Sequence, residues 1–278
     1  LMGAVTTRDE ALHLTLKFAH MRMGWGVGAN DVEAVLRGLY HAGRLERRFN
    51  LRLPMAVAME NQTLPFGLGS LFAGAGARYS WRGICGCASK VPDAGQRPLE
   101  IYRWTGFDGS SLLMKWNSVL TGGSQHLGGY AEARDPAAMV EFLSSDPRFK
   151  ARWPYAISAA FGKGWDDPQT LTREFVDVAV AKSRPDRQVV VSNQVDFFQD
   201  FEARYGRDLP TQALAFGNEW DSYSASLAEV SASVRRAVEG LRGGEALATL
   251  VAQQGGGALW DSRRDPREEA DVALGLYW

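Results

Sequence analysis

The chain has 278 residues, 45% of them hydrophobic, and a formal net charge of −1. That is apolar material for a full core and a second, smaller one. It offers no basic field to gather nucleic acid, and no apolar run nears the roughly 20 residues that cross a bilayer. Thr7-Arg8-Asp9-Glu10 forms a capping-box start, with Leu12, Leu16, Ala19 and Met23 striped behind it. Asn30 and Glu33 repeat that logic around Val32, Val35, Leu36 and Leu39. Residues 53–59 read as a buried strand, stopped by Glu60, Asn61 and Gln62. A Gly- and Leu-rich helix follows over residues 64–72, and Gly76 turns the chain into a strand at residues 77–82. Residues 99–104 and 111–116 read as paired strands about a turn from Gly106 to Gly109. A helix opens at Asp135-Pro136 and runs to Ser144; strands at 155–161 and 188–191 then alternate with helices at 168–181 and 195–205.

Alternation of this kind predicts parallel βαβ units in an α/β domain. Periodicity alone leaves an open sheet and a barrel equally available. After Pro210 the pattern turns helical and no strand is expected. Residues 222–253 form one long helical pattern, with Leu227, Val230, Val234, Val238 and Leu241 facing one way. Gly255-Gly256-Gly257 ends it, and residues 265–276 begin another helix.

Two cysteines, Cys85 and Cys87, stand too close for an unstrained disulfide and too few for a four-ligand metal site. They read as buried thiols of a reducing compartment. Residues 1–25 lack a basic stretch followed by an apolar core, so the expected location is cytoplasmic. Nine tryptophans and eight tyrosines supply flat faces of the kind that stack on sugar rings. His13, His20 and His41 sit in helical stretches with no carboxylate at ligand spacing.

The polar stop at Glu60 lies where α/β folds put their chemistry, at the C-terminal end of a strand. Residues 56–83, AVAMENQTLPFGLGSLFAGAGARYSWRG, resemble the nucleophile segment of glycoside hydrolase family 38, the zinc-dependent α-mannosidases. The resemblance continues through IYRWTGFDGSSLLMKW (101–116), FGKGWDDP (161–168) and VVVSNQVDFFQDFEARYGRDLP (189–210). It ends with GNEWDSYSASLAEVSASVRRAVEGLRGGEALATL (217–250), which is similar to the first helix of the family's bundle. The motifs are collinear over nearly the whole chain.

That resemblance implies a (β/α)7-type barrel, incomplete at its N-terminus, over residues 1–212, and the first helices of a helical bundle over residues 213–278. It implies retaining hydrolysis of α-mannosides or similar sugars. Glu60 falls on the family's nucleophile, which is also a zinc ligand; Asp166 is a candidate general acid, and Glu132 and Asp135 are open alternatives for that role. Arg82, Trp104, Asp108, His126 and Asp167 are candidates to bind the carbohydrate. Two departures stand out: Glu60 replaces an Asp, and no His-x-Asp precedes it. The chain therefore reads as a fragment holding at most one of four zinc ligands, expected to be inactive alone. Two alternatives share the fold: a carbohydrate-binding protein without turnover, and another metal-dependent polysaccharide hydrolase or deacetylase.

Overall fold

The computed structural model describes residues 32–58, 64–82, 99–116, 135–160, 173–215, 227–256 and 265–277. Helix α1 (Val32–Phe49) leads into strand β1 (Met55–Ala58). A short helix α2 (Leu68–Gly74) and the turn at Gly76 return the chain as strand β2 (Tyr79–Arg82), parallel to β1 with Met55 opposite Tyr79. Gly76 adopts φ +94°, a conformation that a side chain would strain, so glycine suits this reversal. The N–H groups of Arg78 and Tyr79 both donate to the Pro54 carbonyl at the start of this pairing.

Strands β3 (Ile101–Thr105) and β4 (Ser111–Trp116) form the expected hairpin, and β4 lies parallel to β2. Gly109, at φ +79°, closes the turn. The mixed sheet is completed by β5 (Thr211–Gln212), giving the order β1-β2-β4-β3-β5. This last strand overturns the expectation of none after Pro210. It is two residues long and pairs with Arg103 and Trp104, so it offers no alternation to read.

Strand alternation sends side chains to two faces. Met55, Tyr79, Trp81, Ile101 and Leu113 pack under helices α3 (Pro136–Ser145), α4 (Pro147–Arg152) and α6 (Gln194–Tyr205). Aromatics fill that layer: Phe142, Phe149, Trp153, Phe197, Phe198 and Phe201. On the other face Ala56, Tyr102, Trp104, Leu112 and Met114 meet Val35 of α1 and Leu64, Leu68 and Phe72 at α2. The described fold is α/β, a mixed five-stranded sheet covered on both faces.

Three of the helices start where capping side chains sit. Asp135 accepts from the Ala138 N–H at the head of α3, Asp146 caps α4, and Asn193 caps α6. Helix α5 (Glu174–Lys182) covers the later part of the helix expected over residues 168–181, whose first residues, 168–172, lie outside the described ones. Helices α7 (Ala228–Gln253) and α8 (Pro266–Tyr277) follow β5 as expected.

Two expected strands are absent among the described residues: 155–160 and 188–191 run without strand pairing. Their hydrogen bonds go to side chains. The Trp153 indole N–H donates to the Ile157 carbonyl at 2.6 Å, and the Ala156 N–H donates to the Tyr205 hydroxyl. Likewise the Val189 N–H donates to the Ser183 hydroxyl, leaving Val190 and Val191 exposed.

Candidate functional site

Strands β1, β2 and β4 are mutually parallel, so their C-terminal ends share one edge of the sheet. Ala58, Arg82 and Trp116 stand level there. Because β3 runs the other way, its start returns to the same edge, with Ile101 opposite Lys115. Glu100, immediately before β3, is 1% exposed, and Lys115 is 3% exposed.

Helix α4 ends beside them. A guanidinium nitrogen of Arg152 lies 3.9 Å from a Glu100 carboxylate oxygen, and the Lys115 ammonium lies 6.0 Å from the centre of the Trp153 ring. A buried ionised group costs several kcal/mol unless neighbours compensate it. Here the Glu100 carboxylate has the Arg152 guanidinium beside it, and the Lys115 ammonium stands over an aromatic ring at the same end of the sheet, an arrangement able to hold polar groups there. Sequence reasoning missed all three. Lys115 did leave a signal, since it follows Leu113 by two and so falls on a buried face of its strand. Glu100 and Arg152 left none.

Arg82 is the last residue of β2, so its backbone stands at this edge. Glu60, His126, Asp166 and Asp167 lie outside the described residues, as do Cys85 and Cys87. Among the described residues no group of three or more His, Cys, Asp or Glu side chains is arranged to hold a metal ion.

Trp104 and Asp108, candidates with Arg82 to bind the carbohydrate, stand at the opposite edge. Trp104 pairs with Leu112, four residues before Trp116 on β4, or roughly 13 Å along the strand. The Trp104 ring is 0% exposed, and its indole N–H donates to the Leu214 carbonyl at 2.8 Å. Phe72 meets it edge-on at 6.3 Å, and Gly69 leaves room for the ring. With no open face, this tryptophan is a pillar of the core rather than a platform for a sugar.

Asp108 organises the hairpin turn. One carboxylate oxygen accepts from the Ser110 hydroxyl at 2.6 Å, the Ser70 hydroxyl at 2.7 Å and the Ser110 N–H at 3.0 Å. Those donors, the Ser110 hydroxyl foremost, hold the carboxyl down at about 2. Ser70 belongs to α2, so Asp108 ties the hairpin to that helix. The approach is close: a Cβ on Gly106 would fall 2.0 Å from the Ser70 hydroxyl oxygen.

A second polar cluster lies at this far edge, under the start of β2. The Glu202 carboxylate accepts from Arg78 at 2.6 Å and from the Tyr79 hydroxyl at 2.9 Å, with Arg103 at 3.7 Å. Burial, and then the bond to Glu202, push the Tyr79 phenol up to about 12.

No protein-family model matches the chain, and no curated protein sequence matches it.

Proposed function

We propose that this chain is the carbohydrate-processing part of a retaining glycosidase, acting on α-mannosides or similar sugars. One observation carries the reading: the parallel run β1-β2-β4. It supports the proposal because α/β sheets gather their chemistry at the carboxyl ends of parallel strands. Glu60 follows Ala58, the last residue of β1, by two in the sequence, and Arg82 ends the neighbouring strand in register with Ala58. The buried Glu100 and Lys115, with Arg152 beside Glu100, lie along that same edge. Closure of the strands into a (β/α)7-type barrel, with a division near residue 212, is part of this proposal.

In the proposed reaction the Glu60 carboxylate attacks the anomeric carbon and displaces the leaving oxygen, which takes a proton from a carboxylic acid. Asp166 is the candidate for that acid. The glycosyl–enzyme ester then reacts with water, which gives its proton back to the same acid residue. Two inversions leave the configuration unchanged. Glu is one methylene longer than Asp, so the attacking oxygen reaches further from β1 than an Asp oxygen would.

The test is hydrolysis of aryl α-mannosides by the intact protein and its Glu60→Gln variant. The amide keeps the shape and removes the nucleophilic charge. Turnover is expected to fall by about 10³-fold or more while sugar binding persists. An E60Q variant with near-normal turnover removes Glu60 from the mechanism and with it this proposal.

A further inference from the structure

Helix α7 is 26 residues long, yet its buried residues among those described are Ser231, Val238 and Ala248. Leu247, Leu250 and Val251 face outward. So little apolar burial is a weak fastening for a helix of seven turns. Its attachment lies in charge. The Arg37 side chain, on α1, is 2% exposed, and its guanidinium reaches Glu245 of α7 at 2.5 Å and 3.3 Å. It also reaches Glu33 on its own helix at 2.8 Å and Asp271 of α8 at 3.4 Å.

Two turns along α1, Arg44 repeats the pattern, bonding Asp271 at 2.6 Å and Glu268 at 3.1 Å. Asp271 thus takes both arginines, and it is 9% exposed as a side chain. The other side of α1 packs Val35 and Leu39 on the sheet. Helices α1, α7 and α8 touch one another pairwise.

We infer that α1, α7 and α8 form one cooperative unit, discontinuous in sequence, whose clasp is the pairing of Arg37 and Arg44 with Glu245, Glu268 and Asp271. The unit opens as a piece, releasing α7 and α8 together while the sheet stays closed. Two features favour release over rigid docking. The interface depends on long side chains rather than an apolar seam. And a buried guanidinium that loses its carboxylates, or carboxylates that lose it, leaves an uncompensated charge, so the contact is held or lost as a whole.

Hydrogen exchange read by mass spectrometry on the whole chain tests this. In Arg37→Gln, amides of α7 and α8 are expected to exchange at least ~10-fold faster together, while those of β1 to β4 change less than ~2-fold. Arg242→Gln, which removes only the exposed pair with Glu239, is expected to change neither group. Unchanged protection of α7 and α8 in R37Q overturns the inference. So does loss of protection in helices and sheet by the same factor. Should R37Q fail to fold, Arg44→Gln, at a partly exposed position, gives the same reading. Normal α7 and α8 protection in R44Q then overturns it.

Discussion

Replacing Tyr79 by Phe removes one oxygen from the core and leaves the ring stacked on Phe198, 5.2 Å away and 8° from parallel. The lost bond runs to an ionised acceptor, Glu202, which keeps Arg78 at 2.6 Å. At neutral pH the cost is therefore about 1.5 kcal/mol, the low end for a hydrogen bond to a charged group. The larger effect is in alkali. An unfolded tyrosine titrates near pH 10, and the folded Tyr79 near 12. The folded state holds this proton more tightly, so the stabilisation is full below pH 10 and is lost as pH rises to 12. Two units correspond to about 2.7 kcal/mol, and at pH 11 roughly half of that is gone. Urea unfolding followed by tryptophan fluorescence at pH 8 and pH 11 measures it. The parent protein should lose about 1.4 kcal/mol more than Y79F over that interval, since every other titration is common to both. Equal losses in the two proteins would refute the account of this buried phenol.

Lys115→Met takes a buried ammonium from the edge that also buries Glu100, and it should destabilise by about 3 kcal/mol in the same urea assay. Glu100→Gln added to it should recover much of that loss; strictly additive losses mean that the two groups do not compensate each other. Gly106→Ala drives a Cβ to 2.4 Å from the Ser70 backbone nitrogen, so it should cost about 3 kcal/mol or more. Gly109→Ala, in open space but at φ +79°, should cost about 1 kcal/mol. Thermal melts that rank these two glycines the other way would contradict the packing described at the turn. Glu60→Gln and Arg37→Gln test the proposed chemistry and the helical clasp respectively, by turnover and by amide exchange.

Much of the architecture was written in local pattern. The hairpin follows from two alternating apolar runs about Gly106-Phe107-Asp108-Gly109, and the βαβ unit from a short apolar strand, a Gly-rich helix and Gly76. Helix α3 follows from its Asp135 cap and α7 from its apolar stripe. What local pattern misled is instructive. Residues 188–191 have strong β-propensity, but propensity is overridden where the backbone bonds to Ser183 and, among the described residues, no strand pairs alongside. The site suffered from a different blindness. Trp104 and Arg82 both sit on sheet strands, and only the pairing register reveals that they belong to opposite edges. Lys115 was visible as a charge out of phase in an apolar strand, whereas Glu100 and Arg152 acquire meaning only through the hairpin and α4 that bring them to it.

The partners of Arg37 lie 208 and 234 residues further along the chain. At a ribosomal pace of about 5–20 residues per second, α1 waits on the order of 10–40 s for Glu245 to be made. For that interval its arginine has only Glu33 of the same helix as a nearby counter-charge, and it must remain wet. The sheet strands β1 to β4 are all synthesised meanwhile and can pair without the last helices. A guanidinium that dries only when the distal helices arrive makes closure of this part of the molecule a late event in its birth, slow through sequence separation rather than through any one bond. Whatever recognises the nascent chain before then meets Arg37 and Arg44 bare on one face of α1, which the finished protein covers with α7 and α8.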